Sequence, residues 1–180
     1  MCAQARKDFD AGDPATAFDA LQRAAAIRCD SVVLRLLEAC SERLVEHEAE
    51  ASLWSMVRSV CAAAAEGAAC VTVRSVVVVG GSAREGAAQS AMQRLGVAGE
   101  DVALSVADSL EGATAPVDDA TCVVFCHPDD VPLHGVSGPG PGRALLLGDD
   151  DEEVGAVLRA LARVAEGWPR ARLDYLGVSL

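Results

Sequence analysis

The chain has 180 residues, which suits one domain, or one domain with a small appendage. Its composition, 51% hydrophobic and 23% charged, is sufficient for a packed core and excludes wholesale disorder. The net charge of −12 argues against binding to nucleic-acid phosphates or anionic membranes, and 3% aromatic residues leave almost no stacking platform for single-stranded nucleic acid. The only lysine is Lys7, so any mechanism that needs a lysine in the C-terminal two thirds of the chain is excluded.

The N-terminal ten residues have no apolar run after a basic start, so we expect no signal peptide. No apolar stretch approaches the ~18 residues of a membrane span. Both observations predict a cytoplasmic protein. Seven cysteines, an odd number without framework spacing, are then expected to be small buried hydrophobic residues.

Residues 1–68 are predicted to form a helical module. Asp13 is suited to cap a helix that begins with Pro14, and the break at residues 29–31 is suited to cap the next helix. Apolar residues then recur at helical spacing, which favours a small antiparallel bundle. The stretch 9–17, followed by Leu21 and Ala24, resembles half of a tetratricopeptide unit, although an ordinary helical hairpin has the same pattern.

The periodicity changes in residues 69–180, which are predicted to form a separate α/β domain. β-branched or apolar runs predict strands at 71–79, 102–106, 121–126, 144–147 and 172–176. Helical patterns lie between them over 83–95 and about 151–166. This alternation predicts a mostly parallel, Rossmann-like sheet of about five strands.

A glycine-rich turn follows the first predicted strand and opens the first helix of this domain. Glycine lets a backbone approach a pyrophosphate, and the N-terminus of a helix offers free N–H groups to it. An acidic residue at the end of the second strand could then bind a ribose. The candidate residues for a nucleotide or NAD(P) are Gly80, Gly81, Ser82, Gly86 and Asp108.

The segment 76–108 resembles the first unit of the short-chain dehydrogenases/reductases, whose turn is Thr-Gly-x-x-x-Gly-x-Gly. The first and last glycines correspond to Gly80 and Gly86, whereas Val79 replaces the threonine and Arg84 the middle glycine. An arginine there is expected to clash with a pyrophosphate. The catalytic Tyr-x-x-x-Lys of that family is missing, since the only tyrosine is Tyr175, which has no lysine after it.

By outline, the C-terminal part is also similar to the truncated, non-catalytic reductase half that lies beside polyketide ketoreductases. The matching segments are 76–86, 102–108, 122–130 and 157–176. This resemblance implies a degenerate Rossmann unit without chemistry of its own. A receiver domain shares the same alternation, but its switch lysine is absent, and so is the Gly-Lys-Ser/Thr of a Walker loop.

One other cluster could carry chemistry, at the end of the third predicted strand. Cys126 and His134 could form a nucleophile pair. Strand alternation places Cys122 and Cys126 on one face, but turns His127 to the other, and the spacing matches no standard zinc pattern, so we predict no metal site. The acidic run 149–153 is predicted to be a solvated helix start, and magnesium binding is the alternative, because hard cations prefer carboxylates.

Three functions are consistent with these features. The first is a non-catalytic protein-interaction or scaffold protein that associates with itself or with a partner protein. The second is a nucleotide or dinucleotide sensor that uses the glycine turn. The third is a small hydrolase or transferase that uses Cys126 and His134. The absent lysine and Arg84 in the turn favour the first.

Overall fold

A computed structural model describes residues 1–45, 50–66, 71–81, 84–97, 99–134, 138–149 and 152–177. The helices are Cys2–Asp10 (α1), Pro14–Ile27 (α2), Ser31–Leu44 (α3), Glu50–Glu66 (α4), Glu85–Arg94 (α5) and Val154–Gly167 (α6). The strands are Ser75–Val79 (β1), Ala103–Ala107 (β2), Thr121–Phe125 (β3), Arg143–Gly148 (β4) and Arg172–Gly177 (β5). Two short 3-10 turns lie at Leu110–Gly112 and Pro128–Asp130. The predicted α/β fold with a preceding helical part is confirmed.

Local side-chain chemistry explains where the N-terminal helices begin. The Asp13 carboxylate accepts a hydrogen bond from the Thr16 N–H at 3.0 Å, and Pro14 occupies the first turn of α2. Asp30 accepts from the backbone N–H groups of Val32 and Val33, both at 3.1 Å, at the start of α3. Each carboxylate satisfies N–H groups that have no partner within the helix. Both predicted caps are therefore confirmed.

The five strands are all parallel and lie in the order β2-β1-β3-β4-β5. The chain leaves β1 toward one edge to form β2 and then returns to the other side of β1 for β3, β4 and β5. This reversal makes the gap between β1 and β3 the topological switch point, where open α/β sheets form a crevice at the carboxyl ends of their strands. The predicted first strand is longer than β1, because residues 71–74 are not part of it.

Helices cover the two faces of the sheet unequally. One face, which includes Val77, Val123 and Leu146, shares a single core with residues of α1–α4 and α6. The opposite face, which includes Val78 and Val124, packs against α5. Because β1, β3 and β4 are buried on both faces, their sequences are almost continuously apolar.

The N-terminal helices and the sheet share their core. The cluster that contains Leu37 of α3 and Val57 of α4 also contains Leu158 of α6 and Tyr175 of β5. The helical part is thus packed on the α/β part through α3 against α6 and α4 against β5. The predicted boundary at 68/69 falls within 67–70, which lie outside the described residues. In the described part of the chain, no helix has the length and apolar character needed to cross a membrane.

Candidate site at the carboxyl edge of the sheet

The candidate site lies where β1, β3 and β4 end, at the switch point of the sheet. Gly80 follows β1, Cys126 and His127 follow β3, and Asp149 follows β4. Since parallel strands end at the same edge, these segments meet above the crevice. The question for function is whether that crevice is open to a ligand.

Arg84 spans this crevice. Its guanidinium donates from Nη1 to the Cys126 carbonyl oxygen at 2.9 Å and from Nη2 to Asp149 Oδ2 at 2.8 Å. The side chain is 23% exposed and that of Asp149 is 28% exposed, so the pair is largely shielded from solvent. A planar guanidinium held by two hydrogen bonds of this length is well oriented. Arg84 therefore ties the start of α5 to the ends of β3 and β4.

Gly80 has a structural reason to be glycine that does not involve a ligand. Its φ angle is +119°, a conformation that side chains rarely adopt. A Cβ at this position would collide with Asp130 Oδ2 and would lie 3.0 Å from Cys126 Cβ. The absence of a side chain thus allows the Asp130 carboxyl to pack over the turn. Burial raises the pKa of that carboxyl above its usual value.

His127 and Glu152 form a second polar contact across the same edge. His127 Nε2 lies 2.5 Å from Glu152 Oε1, a distance for an ion pair, although the N–H is not aligned for a hydrogen bond. Glu152 Oε2 accepts from the Asp149 N–H at 3.2 Å, and its side chain is only 9% exposed. Burial raises the pKa of Glu152, while the neighbouring His127 opposes that rise.

The second nitrogen of His127 is also occupied. Nδ1 accepts a hydrogen bond from the Asp129 backbone N–H at 3.1 Å. A histidine that acts as a general base needs a ring nitrogen whose lone pair is free to accept a proton from the substrate. Because Nδ1 is occupied and Nε2 faces the Glu152 carboxylate, His127 is placed to stabilise the loop after β3.

The predicted nucleotide-binding residues are only partly brought together. The Gly80 N–H donates to the Ala107 carbonyl oxygen at 3.1 Å, which places the glycine turn beside the end of β2, where Asp108 is exposed. A Cβ at Gly81 or at Gly86 would meet open space. Ser82 lies outside the described residues.

The thiol pair proposed from the sequence has an unfavourable environment for catalysis. Cys126 is 1% exposed, and burial, followed by the nearby Asp130, raises its pKa to about 11. A nucleophilic cysteine requires the opposite, an accessible thiol with a lowered pKa. His134 is exposed. Cys122 and Cys126 do share a face, as alternation predicts, and both are buried against α5. Among the described residues, no cluster of His, Cys, Asp or Glu is suited to hold a metal ion.

Sequence reasoning missed the role of the acidic run. It predicted a solvated helix start at 149–153, but Asp149 pairs with Arg84, and the Glu152 side chain, 9% exposed, lies beside His127. Glu153 is exposed, and residues 150 and 151 lie outside the described residues. Glu153 is the N-cap of α6 and makes no side-chain capping hydrogen bond. A usable signal existed, because the acids follow a predicted buried strand, and parallel strands end at the same edge of a sheet as the strand that leads into His127.

Searches against models of protein families, curated proteins and solved structures find no match to this chain.

Proposed function

We propose that this protein is a non-catalytic protein-interaction or scaffold protein, built on a Rossmann-like domain whose ligand crevice is filled by its own side chains. The observation that carries the proposal is the position of Arg84. Its guanidinium bridges the Cys126 carbonyl and Asp149 at the switch point, where related architectures bind a pyrophosphate.

The surrounding groups support the same conclusion. The Asp149, Asp130 and Glu152 carboxyls lie around the crevice, and a dense group of acids repels an incoming phosphate. His127 accepts a hydrogen bond at Nδ1 and faces the Glu152 carboxylate with Nε2, and the Cys126 thiol is buried with a raised pKa. The side chains with catalytic chemistry are thus engaged in holding loops together.

Thermal unfolding with nucleotides tests the proposal. A ligand at 100 times its Kd stabilises a protein by about 2.7 kcal/mol, which raises the Tm of a chain of this size by roughly 5–10 °C. We expect no such rise with NAD⁺, NADPH or Mg·ATP at millimolar concentration. A nucleotide-dependent rise in the wild type would contradict the proposal.

Two variants identify the cause. Arg84→Gly restores the middle glycine of the reductase turn and removes both guanidinium hydrogen bonds. Arg94→Ala removes an equal charge from an exposed position in the last turn of the same helix. A nucleotide-dependent Tm rise in Arg84→Gly, and none in Arg94→Ala, would assign closure of the crevice to Arg84.

A further inference from the structure

The edge strand β2 is exposed in a way that the inner strands are not. Leu104 and Val106 are 47% and 48% exposed, although strands of parallel sheets are ordinarily buried on both faces. In the register with β1, Leu104 and Val106 lie beside Val76 and Val78, on the face of the sheet that packs against α5, and both remain about half exposed there. Apolar side chains therefore lie open at one edge of the sheet.

The backbone of the same two residues faces outward. The Ala103 N–H donates to the Arg74 carbonyl, and the Ala107 carbonyl accepts from the Gly80 N–H. These bonds turn the polar groups of residues 103, 105 and 107 toward β1. Alternation along the strand then directs the N–H and C=O groups of Leu104 and Val106 away from the sheet. The segment Ala103–Ala107 contains no proline or charged residue, the usual protections of an exposed edge.

A shallow apolar groove borders this edge on the side of α5. It has a volume of about 200 Å³. Its lining includes Val76, Met92, Val102 and Leu104, with Gln89 and Gln93 at the side of α5. A strand added to β2 would direct every second side chain to this face.

The segment of the chain that contains β2 is strongly negative. Between Leu95 and Gly142 the sequence has no Lys or Arg, but it has eight acidic residues. They are Glu100, Asp101, Asp108, Glu111, Asp118, Asp119, Asp129 and Asp130. Asp101 precedes β2, Asp108 follows it, and both are exposed. A partner strand with basic residues at both ends would complement this edge.

The same charges disfavour a second copy of the chain. A closed two-fold dimer through β2 would pair the strands antiparallel. The start of one strand would then lie against the end of the other, which brings Asp101 close to Asp108 of the second copy. Like charges at adjacent positions across strands are destabilising.

We propose that the outer edge of β2 binds an extended peptide segment of a partner protein. The segment alternates apolar residues along β2, carries basic residues at both ends, and bonds to the outward N–H and C=O groups of Leu104 and Val106. This inference rests on the proposed interaction function and specifies the surface and the chemistry of the partner.

Selection from a random library of linear peptides tests it without prior choice of a ligand. The full chain is the target, and enriched peptides are synthesised and titrated against variants. We expect enriched sequences to combine β-branched residues with Arg or Lys at both ends. Replacing those basic residues with Glu should abolish measurable binding, and binding should weaken with salt.

Variants at the edge locate the binding surface. Val106→Pro removes one outward N–H and leaves the ladder to β1 intact, whereas Val106→Thr keeps that N–H. We expect the proline variant to bind about tenfold more weakly and the threonine variant to bind nearly as the wild type does. Leu104→Lys places a charge on the exposed edge and leaves the backbone N–H in place, and it should weaken binding comparably. Circular dichroism establishes that each variant is folded.

The outcomes separate this inference from the proposed function. Enriched peptides that bind all variants equally would overturn the β2 surface and leave an interaction function in place. Sedimentation as a dimer that Val106→Pro dissociates would also overturn it, since the occupant would be a second copy. The absence of any enrichment overturns the β2 proposal, and only stabilisation by a nucleotide overturns the proposed function as well.

Discussion

The two edge strands of the sheet, β5 and β2, are covered to different extents by the rest of the chain. At the β5 edge, the helix α4 covers the strand: Trp54 stacks on Tyr175 with ring centroids 5.6 Å apart and planes 14° from parallel. Cys61 of the same helix is buried in the core cluster that contains Tyr175. At the β2 edge, Leu104 and Val106 remain 47% and 48% exposed.

Ionic contacts reinforce the β5 edge. Arg143 Nε donates to Asp174 Oδ2 at 2.8 Å, and Arg172 Nε lies 3.4 Å from the same oxygen. The Arg143 and Asp174 side chains are only 9% and 12% exposed. The comparison shows that the N-terminal helical part covers the sheet at the β5 edge, through α4. The other edge keeps the geometry of a strand that can still accept a partner.

The largest expected effect is at the covered edge. Trp54→Ala removes a side chain that is 4% exposed, and we expect it to lower the free energy of unfolding by about 4 kcal/mol. Leu104→Ala at the open edge is the matched control and should cost less than about 1 kcal/mol, because the native side chain is half exposed. Urea unfolding followed by circular dichroism measures both. Equal losses would break the comparison between the edges.

The second effect concerns the buried ion pair. Asp174→Ala leaves the Arg143 guanidinium buried without its carboxylate, and we expect a loss of about 3 kcal/mol in the free energy of unfolding. Asp101→Ala removes an equal charge from an exposed position beside β2 and should change stability by less than about 0.5 kcal/mol. A small loss in Asp174→Ala would mean that water reaches Arg143 at this edge.

The third effect is a pH dependence of stability that comes from Glu152, at the crevice above the carboxyl ends of the inner strands. Burial raises the pKa of Glu152 in the folded chain above its ordinary value of about 4.3. Between the unfolded and folded pKa values the folded state binds more protons, so the stability contributed by this group is lost as pH rises through that window. The free energy of unfolding cannot change through this one group by more than about 1.4 kcal/mol per pH unit.

Glu152→Gln should therefore flatten the decline of stability with pH from about 4.5 upward. Glu153→Gln, at an exposed neighbour, should keep the slope of the wild type. Equilibrium unfolding at a series of pH values measures the three slopes. An unchanged slope in Glu152→Gln would mean that the carboxyl is not held in the buried environment beside His127.

Much of the fold could be predicted because its signals are local. The run Val76–Val79 has the composition of a strand buried on both faces, and Asp13 and Asp30 cap helices through their own neighbours. The glycine turn lies between β1 and α5, as the predicted alternation of strands and helices indicated. Each of these depends on residues a few positions apart in the chain.

The candidate site was less predictable, because its contacts join distant residues. Arg84 was expected to obstruct a pyrophosphate, but its partners, Cys126 and Asp149, are far from it in sequence. The acids at 149–153 were expected in solvent, yet the Glu152 side chain is only 9% exposed, because β4 ends beside the loop that carries His127.

By itself, the sequence determined the alternation of strands and helices, the absence of lysine after Lys7 and the negative charge of residues 95–142. These follow from composition and from periodicity along the chain. Only the tertiary structure decided the strand order, the filling of the crevice by Arg84 and the contrast between the β5 and β2 edges. The physical reason is that which strand lies at an edge, and which helix covers it, depends on how distant segments pack.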